Sequence, residues 1–190
     1  MKVAVFVGSA RRKGNTEVLI RQAMKGAGCP DGQKITFLSD VDFKGCFGCG
    51  ACRGEGAHGC VVEDGMQRLY EEIKAADALI LGSPIYYGEI SGQMKSFMDR
   101  WYAFRAKDRS LRVKPGKKVL FLLTQGAEGE DRYINPINRL KKVLSGYEML
   151  PEVLVADDIE EKGSAAEKPE LLERLLQAGK RLKGKEKEKA

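Results

Sequence analysis

Lys2-Val3-Ala4-Val5-Phe6-Val7-Gly8-Ser9-Ala10-Arg11-Arg12-Lys13-Gly14-Asn15-Thr16 decides the fold. Its first half is a short apolar run rich in β-branched residues, which reads as a strand buried on both faces. Its second half leads straight into Thr16–Lys25, an amphipathic helix. A strand that passes through a tight loop into a helix is the opening unit of a layered α/β domain. A helix N-terminus offers free backbone N–H groups and the positive end of the dipole, which together bind phosphate. Ser9, Asn15 and Thr16 add hydroxyl and amide donors, and Arg11, Arg12 and Lys13 add charge. The loop is neither G-x-x-x-x-G-K-[ST] nor G-x-G-x-x-G, so the two common nucleotide loops are excluded. An N-capped helix with a basic surface patch is the other reading of these residues.

Working outward, strand and helix patterns keep alternating. Lys34–Leu38 is a short second strand, and Asp64 reads as the N-cap of a helix over Met66–Ala76. Ala78–Gly82 is a third strand, followed by a helix over Ser91–Trp101. Lys118–Thr124 is the fourth strand, Ile134–Leu144 a helix, and Tyr147–Val155 contains the fifth strand. Glu170–Leu182 is the last helix, with Leu171, Leu172, Leu175 and Leu176 as its apolar side. Asp157–Lys168 is polar and reads as a loose linker. The expected fold class is α/β: a doubly wound, five-stranded parallel sheet of order 2-1-3-4-5 with helices on both faces. Length favours one domain over residues 1–182, followed by a basic disordered tail over 183–190.

Sheets of this kind bind ligands outside the carboxyl ends of the strands, where the strand order reverses. After the third strand comes Gly82-Ser83-Pro84-Ile85-Tyr86-Tyr87-Gly88-Glu89. Pro84 fixes its backbone angle, Gly88 permits a tight turn, and the two tyrosines suit packing against a flat ring. An ordinary turn with half-buried tyrosines is the alternative. After the fourth strand comes Thr124-Gln125-Gly126-Ala127-Glu128-Gly129, where small residues let main-chain donors approach a ligand. All three loops fall at the same end of adjacent strands.

A different chemistry lies in Cys46-Phe-Gly-Cys49-Gly-Ala-Cys52-Arg-Gly-Glu-Gly-Ala-His-Gly-Cys60, a C-x2-C-x2-C-x7-C run. Consecutive x2 gaps wrap one peptide around a single centre, and a [4Fe–4S] cluster takes four thiolates. Zinc sites more often use two C-x2-C pairs held apart by a longer loop. Zinc, free thiols, a local disulfide and a degenerate cluster site stay open on spacing alone. His58 reads as a loop residue and Cys29 as a bystander.

The net charge is +6, but residues 180–190 hold six basic and two acidic side chains, leaving +2 for the rest. With no basic stripe interleaved with aromatics, nucleic-acid binding is not expected. No apolar run reaches transmembrane length, and the opening apolar stretch is too short for a secretory leader. The expected location is cytoplasmic, where thiols stay reduced.

The segments Gly8-Ser9-x-Arg11-x-x-Gly14-Asn15-Thr16, Ser83-Pro84-Ile85-Tyr86-Tyr87-Gly88 and Thr124-Gln125-Gly126 resemble the NAD(P)H-dependent FMN reductase superfamily of flavodoxin-like proteins. The cysteine run resembles that of its iron–sulfur flavoproteins. The resemblance implies FMN phosphate on Ser9, Arg11, Gly14, Asn15 and Thr16. It implies the isoalloxazine against Pro84, Ile85, Tyr86, Tyr87 and Gly88, with Thr124, Gln125 and Gly126 beyond it. It implies a [4Fe–4S] cluster on Cys46, Cys49, Cys52 and Cys60, and electron transfer between flavin, cluster and a partner. It further implies NAD(P)H as a candidate donor, a ferredoxin-like electron donor, a small-molecule acceptor and a homodimer or homotetramer. Met94, Phe97, Met98 and Trp101, at helical spacing, form either the subunit interface or plain core. No acid–base catalytic set is visible. Two other functions stay open: a cluster-free NAD(P)H-dependent FMN or quinone reductase, and a non-enzymatic carrier of flavodoxin type.

Overall fold

Val3, Val5 and Val7 point to one face of strand β1 (Val3–Val7) and Phe6 to the other, and helices cover both. The computed structural model describes residues 1–183. Its remaining strands are β2 (Thr36–Phe37), β3 (Ala78–Tyr86), β4 (Glu89–Ile90), β5 (Lys118–Thr124) and β6 (Leu150–Ala156). The sheet order is β2-β1-β3-β5-β6, all parallel, with β4 paired antiparallel to the end of β3. Leaving β4 aside, the five parallel strands follow the expected order. β1 pairs with both β2 and β3, which places the central strand β3 between β1 and β5.

Helices α1 (Asn15–Gly26) and α5 (Pro169–Lys183) cover the face carrying Val3, Val5, Val7, Ile80, Leu120 and Leu122. Helices α2 (Met66–Ala75), α3 (Gly92–Asp99) and α4 (Ile134–Ser145) cover the face carrying Phe6, Leu79, Leu81, Phe121 and Leu123. The central strands β1, β3 and β5 carry apolar side chains on both faces and leave no solvated side, which is why they read as near-continuous apolar runs.

Four expectations change. The third strand runs on to Tyr86, so Ser83–Tyr86 is strand and not loop; Tyr86 pairs with Glu89 across a turn at Tyr87 and Gly88. Met94 and Phe97 of α3 and Trp101 of the 3-10 helix that continues it (Arg100–Phe104) are fully buried and Met98 packs against the same core, so the stripe is interior and not an interface. Phe97 packs between Phe6 and Trp101, tilted against the first at 4.9 Å and edge-to-face with the second at 5.4 Å between ring centroids. Residues 157–168 are not a loose linker: Ile159 and Ala165 are buried, and Ser164–Glu167 forms a short 3-10 helix. Asp64 stands one position before the residue that caps α2, yet its Oδ1 accepts the Met66 N–H at 2.9 Å. The basic tail expected over 183–190 lies, beyond Lys183, outside the described residues.

Candidate functional site

At the carboxyl ends of β1, β3 and β5 the chain forms a cleft of about 240 Å³. Its walls include Ser9, Arg11, Gly14, Asn15 and Thr16 from the first loop, Pro84, Ile85 and Tyr86 from β3, and Thr124, Gln125 and Gly126 after β5. Eleven of the thirteen residues expected there therefore come together. Tyr87 and Gly88 do not: they form the β3–β4 turn with φ of 50° and 79°, and Tyr87 is fully exposed. Because β3 runs on to Tyr86 and pairs there with Glu89, Tyr87 and Gly88 are left to make the turn.

The hydrogen bonds show how the walls are locked. Thr16 and Thr124 face each other with hydroxyls 2.8 Å apart, joining α1 to the end of β5. Ser91 Oγ donates to Gly8 O at 2.8 Å and accepts the Met94 N–H at 3.3 Å, so the N-cap of α3 also fastens the first loop. Among the described residues, the backbone N–H groups of Asn15, Thr16 and Glu17 have no protein acceptor, leaving the first turn of α1 able to receive an anion. Glu17 would oppose an anion there. Burial pushes its carboxyl up, but the Lys13 N–H at 2.7 Å and the Arg21 guanidinium outweigh that and hold it below the usual range.

One expected donor is used differently. Asn15 Nδ2 donates to Ile159 O at 2.7 Å and Glu161 O at 2.8 Å, and its Oδ1 accepts the Ala165 N–H at 3.1 Å. Its amide ties residues 159–165 down, leaving the backbone N–H for a ligand. Gly126 leaves room for Glu160, whose Cβ would stand 3.2 Å from an added methyl. Ile159, Glu160 and Lys162 complete the cleft, and sequence reading missed all three. The stretch leaves the carboxyl end of β6, beside that of β5, so its place after a strand was the signal that could have found it; its docking on Asn15 is what the structure adds.

The four cysteines line one cavity of about 150 Å³, with Phe47, Val62, Arg100 and Tyr102 among the other walls. Gly48 and Gly50, at φ 66° and 71°, flank Cys49 and supply left-handed backbone that lets the loop curl. Burial pushes the Cys52 thiol up, and the neighbouring thiols of Cys60, Cys46 and Cys49 push it further. Among the described residues, no three His, Cys, Asp or Glu side chains converge as around a single metal ion. Cys29 sits apart, half-buried against α1 and α5, where burial pushes its thiol up. His58 lines a neighbouring cavity together with Cys60, Gln67 and Tyr70.

Arginines hold this loop. Arg100, with its side chain 1% exposed, donates to Lys44 O at 2.8 Å before the cysteines and to Asp64 at 2.8 and 3.2 Å after them. Burial raises the cost of the Asp64 charge, but Arg100 and the Lys44 and Met66 N–H groups outweigh it and hold the carboxyl low. Arg112 donates to Cys52 O at 3.0 Å and Ala57 O at 2.6 Å, and Arg53 to the Tyr102 hydroxyl at 2.7 Å.

Among known proteins, residues 1–158 match the family model described as NADPH-dependent FMN reductase. An iron–sulfur flavoprotein of Methanocaldococcus jannaschii is 40% identical over 53% of this chain and 51% of its own length. An iron–sulfur flavoprotein of Methanosarcina thermophila is 35% identical over 61% of this chain and 60% of its own. The chain thus spans little more than half the length of these relatives. In three dimensions, an NAD(P)H:quinone oxidoreductase from Methanothermobacter marburgensis superposes with a TM-score of 0.73 at 17% identity, covering 96% of both chains. At that identity the likeness speaks for the flavodoxin-like α/β fold.

Proposed function

The chain belongs to the NADPH-dependent FMN reductase family, and from that premise we propose that it is a flavin-dependent oxidoreductase carrying an iron–sulfur cluster. In this reading FMN lies in the cleft at the ends of β1, β3 and β5. Its phosphate meets the free N–H groups of α1 together with Ser9 and Arg11, and its ring lies between the Pro84–Tyr86 segment and Thr124–Gly126. The cluster is held by Cys46, Cys49, Cys52 and Cys60. FMN, when bound, supplies two-electron acceptance and one-electron release, and a cluster supplies a one-electron partner. The protein's part is to hold the phosphate on α1, to fix the ring between two loops and to keep the cysteine loop curled through Arg100 and Arg112. NAD(P)H, a ferredoxin-like donor, a small-molecule acceptor and a second copy of the chain are the partners this reading takes from the family resemblance. Among the described residues, no helix is long and apolar enough to cross a membrane.

One observation carries the finer reading: all four cysteines of the run line a single cavity, held at both ends by Arg100. The test is anaerobic purification with iron, acid-labile sulfide and FMN measured per chain, for the wild type and Cys49→Ser. The expected result is about four iron and four sulfide with FMN in the wild type, and loss of iron with FMN retained in the variant. Iron at the same level in Cys49→Ser would remove Cys49 from the ligand set. FMN without iron would favour a cluster-free FMN or quinone reductase, a second reading supported by the exposure of Cys46 and Cys49.

A further inference from the structure

Residues 159–165 lie beyond the stretch matched by the family model, which ends at 158, yet they build one wall of the cleft. The arm is fastened at several points. Asn15 makes three hydrogen bonds to this arm, Ile159 and Ala165 are anchored in the core, and the Ile159 N–H reaches Gln125 O at 3.3 Å. Docked this way, the arm brings Lys162 to the same cleft as Arg11 and the first turn of α1.

The charge balance of the cleft gives that lysine a purpose. The first loop carries three basic side chains, but Arg12 pairs with Asp40 and lies 3.3 Å above the Phe37 ring centre. Of the three, only Arg11 lines the cleft. A phosphate dianion on α1 would then meet one cation from its own loop. Lys162 is a second, set against one carboxylate of the same arm, Glu160, which also lines the cleft; among the described residues neither Lys162 nor Arg11 is paired with a carboxylate.

We propose that Lys162 is a phosphate-binding residue of this cleft that selects phosphorylated over unphosphorylated flavin, with Asn15 as the positioning residue that holds its arm in place. The inference rests on the reading of the cleft as an FMN site. Lys162 is exposed, so Lys162→Gln does not disturb packing.

The test titrates the full-length, flavin-depleted chain with FMN and with riboflavin, followed by flavin fluorescence at low and high salt. Lys162→Gln is expected to weaken FMN about fivefold at low salt, the scale of one exposed ion pair, and to leave riboflavin unchanged. The fall of FMN affinity with salt should become shallower. Asn15→Ala should weaken FMN as well, and adding Lys162→Gln to it should cost less than fivefold, because the arm is already loose. Unchanged FMN affinity in Lys162→Gln, or an equal loss for both flavins, would overturn the proposal. Full additivity with Asn15→Ala would remove Asn15 from it. A wild type that binds FMN no better than riboflavin would overturn it while sparing the flavin reading. A wild type that binds neither would defeat that reading and this inference with it.

Discussion

Replacing Arg100 by methionine tests whether one buried ion pair holds the cysteine loop to the domain. Arg100 grips Asp64 with both terminal nitrogens and also binds Lys44 O, so it spans the loop from before Cys46 to after Cys60. Its side chain is 1% exposed and that of Asp64 13%. Methionine keeps much of the stem but leaves Asp64 without its cation. Breaking a buried pair from one side costs about 3–5 kcal/mol. Asp64 keeps the Met66 N–H at 2.9 Å, the Lys44 N–H at 3.1 Å and some water. The lower end, about 3 kcal/mol, therefore applies. For a chain of this length that is a fall in melting temperature of about 6–12 °C. Urea denaturation of both proteins gives the difference, and hydrogen exchange should show residues 44–64 opening first. The pair also has a pH signature. Asp64 is held below its unfolded value, so its stabilisation is full above the ordinary carboxylate range and fades as pH falls through the lowered one. The variant should lose stability less steeply in acid. Adding Asp64→Asn should recover part of the loss. A loss below about 1 kcal/mol, with the acid slope unaltered, would show that this pair does not anchor the loop.

Two further outcomes follow from packing. Gly179→Ala places a methyl of α5 against the carbonyl oxygen of Ala23 on α1, backbone that cannot yield. Alanine gains about 1 kcal/mol in helix propensity, yet overpacking should leave the variant about 1–2 kcal/mol less stable in urea, and a rise in stability would refute the tight α1–α5 crossing. Tyr87→Asn relieves a left-handed residue at φ 50° in a two-residue turn. It should raise the unfolding midpoint by the equivalent of about 0.5–1 kcal/mol, and a lower midpoint would show that the exposed ring makes contacts that matter.

The fold was legible in the sequence because its information is local. Val3–Val7, Ala78–Leu81 and Lys118–Thr124 are apolar on both faces, which only a covered parallel sheet accommodates, and each is followed by a helical pattern. The cleft was legible for the same reason: residues that follow strands meet wherever parallel strands end together. The cysteine spacing marked its loop without help from the fold. What sequence alone could not determine depends on contacts between distant segments. Whether Met94, Phe97 and Trp101 face a partner or the core depends on Phe6 lying opposite. Whether Ser83–Tyr86 continues the strand depends on β5 and β4 offering ladder partners. That Asn15 is a strut, and that Lys162 reaches the cleft, depends on about 150 residues of chain closing back on α1. Periodicity carries the pattern of burial along one element. It carries no record of which remote polar group will take a given donor, and that choice is made only when the packed sheet brings the two together.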